Sequence, residues 1–100
     1  MKIRWPLYVL FSLLALPAKA GELDSLLKVI DRLEERGRES ELLNIYTRTA
    51  DLYKTLDKFE EAKEYYTRSL DIARRYDQWI SINDNLFGVA MCDQRLNNFQ

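Results

Sequence analysis

One hundred residues with 16 acidic and 15 basic side chains carry a formal charge of −1, so no general excess of either sign draws this chain to phosphate backbones or anionic lipid. Histidine is absent and Cys92 is the only cysteine. That excludes Ser-His-Asp and Cys-His nucleophilic sites, His-bearing zinc sites, thiolate clusters and an intramolecular disulfide from these residues.

In chain order, the first segment has the layout of a transport signal. Lys2 and Arg4 form a positive n-region, Trp5 to Leu16 an apolar run, and Pro17 with Ala18-Lys19-Ala20 a small-residue cleavage site. Residues 1–20 are therefore read as a signal peptide, cut after Ala20, and the mature chain as exported through the inner membrane into the periplasm. An uncleaved anchor is the competing reading, but twelve residues at about 1.5 Å each reach about 18 Å against an apolar bilayer core of about 30 Å. Removing Lys2, Arg4 and Lys19 with the leader takes the formal charge from −1 to −4.

Beyond the leader, apolar residues recur at helical spacing and no period-two strand occurs. Leu23, Leu26, Leu27, Ile30 and Leu33 define a helix over residues 21–37, with Gly37 placed to end it. Ser40 is the expected cap of a second helix with an apolar face of Leu42, Leu43, Tyr46, Ala50 and Tyr53. Leu56-Asp57-Lys58 makes a tight turn, a third helix runs from about Phe59 to Tyr76, and Asp77 is the expected cap of a fourth that ends near Leu96. Cys92, on that fourth helix, reads as a small buried hydrophobe. Glu64 with Arg68, and Asp71 with Arg75, are spaced as exposed i, i+4 pairs.

The stretch from Phe59 to Ala73 shows what surface these helices need. At about 100° per residue, Phe59, Ala62, Tyr66, Ser69, Leu70 and Ala73 share one face, on which Ala62 and Ser69 leave a shallow groove between rings. Another helix can approach closely there, with Phe59 and Tyr66 filling the space around the contact. Ala50, between Tyr46 and Tyr53, is the matching gap on the second helix. The turn between the two helices is short enough to force them antiparallel.

The series Tyr46, Ala50, Tyr53, Asp57, Phe59, Ala62, Tyr66 and Ser69 resembles a tetratricopeptide repeat over residues 43–76. Asp57 stands where that family usually has glycine, and no proline closes the hairpin. A forty-residue offset sets Leu86, Ala90, Leu96 and Phe99 against Tyr46, Ala50, Leu56 and Phe59, with Asp93 breaking the pattern at the place of Tyr53. Backwards, the offset sets Leu26, Ile30 and Leu33 against Tyr66, Leu70 and Ala73. The resemblance implies an all-α chain of antiparallel hairpins stacked as the start of an α-solenoid. Residues 21–37 then form a capping helix, 38–77 a first repeat, and 78–100 the first helix and turn of an incomplete second repeat. An ordinary helical bundle is the alternative, and since about three repeats make a stable stack, the residues are expected to open a longer protein or to be a truncated product.

By the same resemblance the chain is an interaction scaffold without catalysis or cofactor, holding a protein or peptide along a wall lined by the first helix of each repeat. Asn44, Thr47, Arg48, Asp51 and Lys54 face that side on the second helix, and Asp84, Phe87, Gly88, Met91 and Gln94 on the fourth. Asn44, Thr47, Asp51, Lys54, Phe87 and Met91 are the expected partner contacts. No nucleic acid is expected to bind, and membrane contact is expected only through an uncleaved signal or a downstream span. The alternative function is the extracytoplasmic sensory region of a membrane-bound histidine kinase or transcription regulator, which an apolar run of about 20 residues further along would distinguish.

Overall fold

The computed structural model describes residues 7–97, with side chains from residue 18 onward. Four helices, α1 (Leu7–Arg36), α2 (Glu39–Thr55), α3 (Phe59–Arg75) and α4 (Trp79–Asn97), account for nearly all of them. Each packs antiparallel on the next: α1 on α2, α2 on α3, α3 on α4. The expected capping helix is the C-terminal part of α1, which runs unbroken from Leu7 through the expected cleavage site. Residues 1–6 of the expected leader, and Phe99 of the forty-residue comparison, lie outside the described residues. No described helix is long and apolar enough to cross a membrane.

The three breaks share one geometry, and it recurs every 20 residues. Gly37, Asp57 and Asp77 each sit in the left-handed region, with φ of 65°, 59° and 53°. Behind each, two backbone bonds close the helix end. Arg38, Lys58 and Gln78 donate to the carbonyls of Leu33, Tyr53 and Ala73 at 3.0, 2.9 and 2.9 Å. The left-handed residues themselves donate to Glu34, Lys54 and Arg74 at 3.2, 3.0 and 3.4 Å. This is the Schellman arrangement, which satisfies carbonyls a helix end leaves open.

Two expected caps are corrected by this geometry. The next helix starts two residues after each left-handed position, so Ser40 falls inside α2, whose N-cap is Arg38 without a side-chain bond. Asp77 closes α3 rather than opening α4. Aspartate serves both places because its short polar side chain tolerates left-handed backbone as well as capping an N-terminus.

The small-and-large alternation lies inside, as its spacing requires. Ala50, Ala62, Tyr66 and Cys92 form one buried cluster, flanked by Tyr53, Phe59 and Val89. Ala50 and Ala62 are fully buried, as are Ser69 and Ala73. A second cluster joins Ile30 and Leu33 of α1 to Leu42, Leu43 and Tyr46 of α2 and Ile72 and Ala73 of α3. Leu26, Ile30 and Leu33 are buried like Tyr66, Leu70 and Ala73, the residues forty positions on.

Tyr65, outside the expected stripe, carries the outer side of the hairpin. Its ring lies 5.8 Å from Tyr46 and 5.6 Å from Tyr53, with the Arg68 guanidinium 4.9 Å from its centroid. Tyr46 donates to Glu34 of α1 at 2.6 Å, and Arg68 pairs with Glu64 at 2.6 Å. Arg75 pairs with Glu39 at 2.7 Å rather than with Asp71.

On α4 the forty-residue comparison fails in burial. Leu86 and Ala90 are exposed where Tyr46 and Ala50 are buried, and the face turned to α3 carries Asn85, Gly88 and Cys92 instead. The reason is topological: α2 is covered on two sides, by α1 and α3, whereas among the described residues α4 meets α3. Asp93 accordingly escapes burial and pairs with Lys63 at 2.6 Å.

Candidate functional site

Because α2 and α4 both run antiparallel to α3, they run parallel to each other and leave a furrow whose floor is α3. Side chains 37 or 38 positions apart meet across it. Thr47 Oγ1 donates to Asn85 Oδ1 at 3.0 Å and stands 2.7 Å from Ser69 Oγ. Ser69 in turn donates to the Leu43 carbonyl at 2.8 Å and accepts from Asn85 Nδ2 at 3.1 Å. Asn85 is 1% exposed, and its amide also reaches the Ser81 carbonyl at 2.7 Å. A buried polar group without partners costs about 1–3 kcal/mol; here every polar atom is used, so the network fixes the rotation of three helices against one another.

Three hollows follow one another along the furrow. The first, about 330 Å³, is bounded by Leu43, Ile72 and Tyr76, with Ser40, Asn44 and Ser81 at its rim. The second, about 210 Å³, shares Asn44 and Ser81 and adds Arg48, Asp51 and Asp84 above the Thr47–Asn85 contact. The third, about 190 Å³, lies between Lys54, Asp57, Phe59, Met91 and Arg95. A larger hollow of about 470 Å³ opens at the α2–α3 turn, beside Glu60 and Glu61. Carboxylates in the first turn of α3 complement the helix dipole, which explains them without a ligand.

Core and rim are joined through Tyr66. Its hydroxyl donates to the Asp51 carboxylate, and burial, followed by that bond, pushes its phenol well above the usual tyrosine range. Arg48, in the lining of the second hollow, is paired with Glu22 of α1, which accepts from its Nε at 3.1 Å. Burial also raises the Cys92 thiol, which lowers its thiolate fraction and with it its reactivity. Among the described residues no three His, Cys, Asp or Glu side chains are placed to hold a metal ion.

The six expected contacts are thus divided. Asn44, Thr47 and Asp51 line the second hollow, although Thr47 is spent on the buried network instead of facing outward. Lys54 and Met91 meet in the third. Phe87 lines none of the three and is 67% exposed on the flank of α4 beside them. Gly88, expected to face outward, is buried beneath the Tyr66 ring. Asn85 is not among the expected contacts; the signal for it in the sequence is its place forty positions after the apolar Ile45 of α2. Family models, curated proteins and solved structures, compared with this chain, yield no match.

Proposed function

We propose that this chain is a tetratricopeptide-like helical scaffold that holds a protein or peptide partner in the furrow between α2 and α4. One observation carries the reading: two parallel helices, 37 to 38 residues out of register, present a line of hollows over a rigid hydrogen-bonded floor. Pre-organised concave surfaces of this kind bind with little ordering cost to the protein.

The repeat aspect draws support from the 20-residue recurrence of left-handed helix ends and from the forty-residue correspondence of burial between α1 and α3. Further support comes from α4, whose Leu86 and Ala90 hold the positions that Tyr46 and Ala50 use against α3. We read α4 as the first helix of a second hairpin. Export behind a cleaved leader, with periplasmic residence, belongs to the same reading, and the furrow itself performs no bond chemistry.

Selection of peptides from a displayed library on the folded chain tests the reading. Selected peptides are expected to lose binding at least tenfold when Asn44 and Ser81 are both enlarged to Gln, and to retain it in Glu64→Gln on the far side. Indifference to the furrow substitutions would overturn it.

A further inference from the structure

The order of chemistries along the furrow specifies the kind of segment it takes, given that the furrow is the binding surface proposed above. Leu43, Ile72 and Tyr76 make the first hollow apolar. In the second, Asp51 and Asp84 face the space while Arg48 is occupied by Glu22, so the local field is negative. In the third, Lys54 and Arg95 outnumber Asp57, so the sign reverses.

The linings of the first two hollows are centred about four to five positions apart along α2 and α4, and those of the second and third about eight to ten, or about 7 Å and about 13 Å at 1.5 Å per residue. An extended chain covers the first distance in about two residues and the second in about four at about 3.3 Å each, and even steps keep all three side chains on the face turned to the furrow. Asn44 and Ser81, shared by the first two hollows, stand at the waist between them, where their amide and hydroxyl can bond a passing backbone.

We infer that the furrow binds an extended peptide segment with an apolar side chain, a basic one two positions on, and an acidic one four positions beyond that. The apolar group fills the first hollow and gains burial. The basic group sits against Asp51 and Asp84, and the acidic group meets Lys54 and Arg95 beyond. Opposite charges a few Å apart near a protein surface attract and like charges repel, so exchanging the two ligand charges converts two attractions into two repulsions. A phosphate backbone fails at the second hollow for the same reason.

The test uses the intact chain and blocked, fluorescein-labelled heptapeptides followed by anisotropy and by amide NMR shifts. One peptide reads Leu-Gly-Arg-Gly-Ser-Gly-Glu, a second is its reversed sequence to cover both chain directions, and a third, with its own reversal, exchanges Arg and Glu. In at least one direction the first arrangement should bind at least tenfold more tightly than its charge-exchanged form, lose that preference in D51N/D84N, and weaken as salt rises. Asparagine keeps an acceptor for Tyr66, and circular dichroism verifies folding; D84N alone, on an exposed position, should give part of the loss. Equal binding of both charge orders overturns the inference, as does undetectable binding of every peptide at millimolar concentration. Library-selected peptides that occupy the furrow without this charge order overturn the inference while leaving the scaffold reading in place. Selected peptides that ignore the furrow overturn the scaffold reading.

Discussion

Gly88 of α4 sits so close beneath Tyr66 of α3 that a Cβ added to it would stand 2.8 Å from three carbons of the phenol ring. Tyr66 has little room to retreat, because it is 2% exposed and its hydroxyl is tied to Asp51. Helix propensity alone would make Gly88→Ala stabilising by about 1 kcal/mol, whereas overpacking a buried contact costs about 1–3 kcal/mol. The expected result in urea unfolding is a net loss of stability. A gain would show that the ring gives way freely.

Ala62 plays the same part between α3 and α2. Ala62→Leu is expected to cost about 1–3 kcal/mol, while Glu60→Leu, on an exposed position, loses only the carboxylate's contribution at the helix N-terminus and costs less than about 1 kcal/mol. Equal shifts in melting temperature for the two would remove the close-packing explanation of the hairpin.

How far the residues alone reveal this fold depends on what each signal measures. Ala50, Ala62, Tyr66 and Ser69 were legible because one helical face must hold them whatever lies opposite. Asp77 and Ser40 misled because one side chain suits two different helix ends, and only the backbone path decides between them. Gly88 and Asn85 were hidden by copying the pattern of α2 onto α4, since α4 buries the face turned to α3 and not the one α2 buries. Tyr65 lies off the main stripe and gains its role from Tyr53 and Arg68, which tertiary packing brings to it. In the furrow, the α2 wall was readable from the helical period, whereas Ile72 and Tyr76 come from α3 and needed the hairpin's geometry.

The left-handed aspartates offer a test of backbone cost. A non-glycine residue in that region loses on the order of 1 kcal/mol relative to glycine, partly offset by glycine's greater freedom when unfolded. Asp57→Gly should therefore raise stability by several tenths of a kcal/mol to about 1 kcal/mol, without altering helical circular dichroism. Asp57→Val, branched at Cβ, should lower it. Chemical unfolding of the pair measures both, and a more stable valine variant would contradict the assigned helix end.

Alkaline pH addresses the contact between α1 and α2. Burial, and then the hydrogen bond to Glu34, push the Tyr46 phenol up to about 12 from its ordinary 10. The folded state holds this proton more tightly than the unfolded state does. Its contribution is therefore complete below pH 10 and is lost as pH rises through about 12. Melting temperature should fall more steeply over that window in the parent chain than in Tyr46→Phe, with the other tyrosines common to both. Parallel slopes would mean that Tyr46 ionises alike in both states.

The most direct measurement is amide chemical-shift mapping on the intact chain, titrated with a library-selected peptide. Asn44, Ser81 and Asp84 along the furrow are expected to move most, with Glu64 and Asp71 on the other side of the hairpin unchanged. Shifts centred on Trp79, Ile80 and Phe87, with the furrow silent, would contradict the furrow as the binding surface.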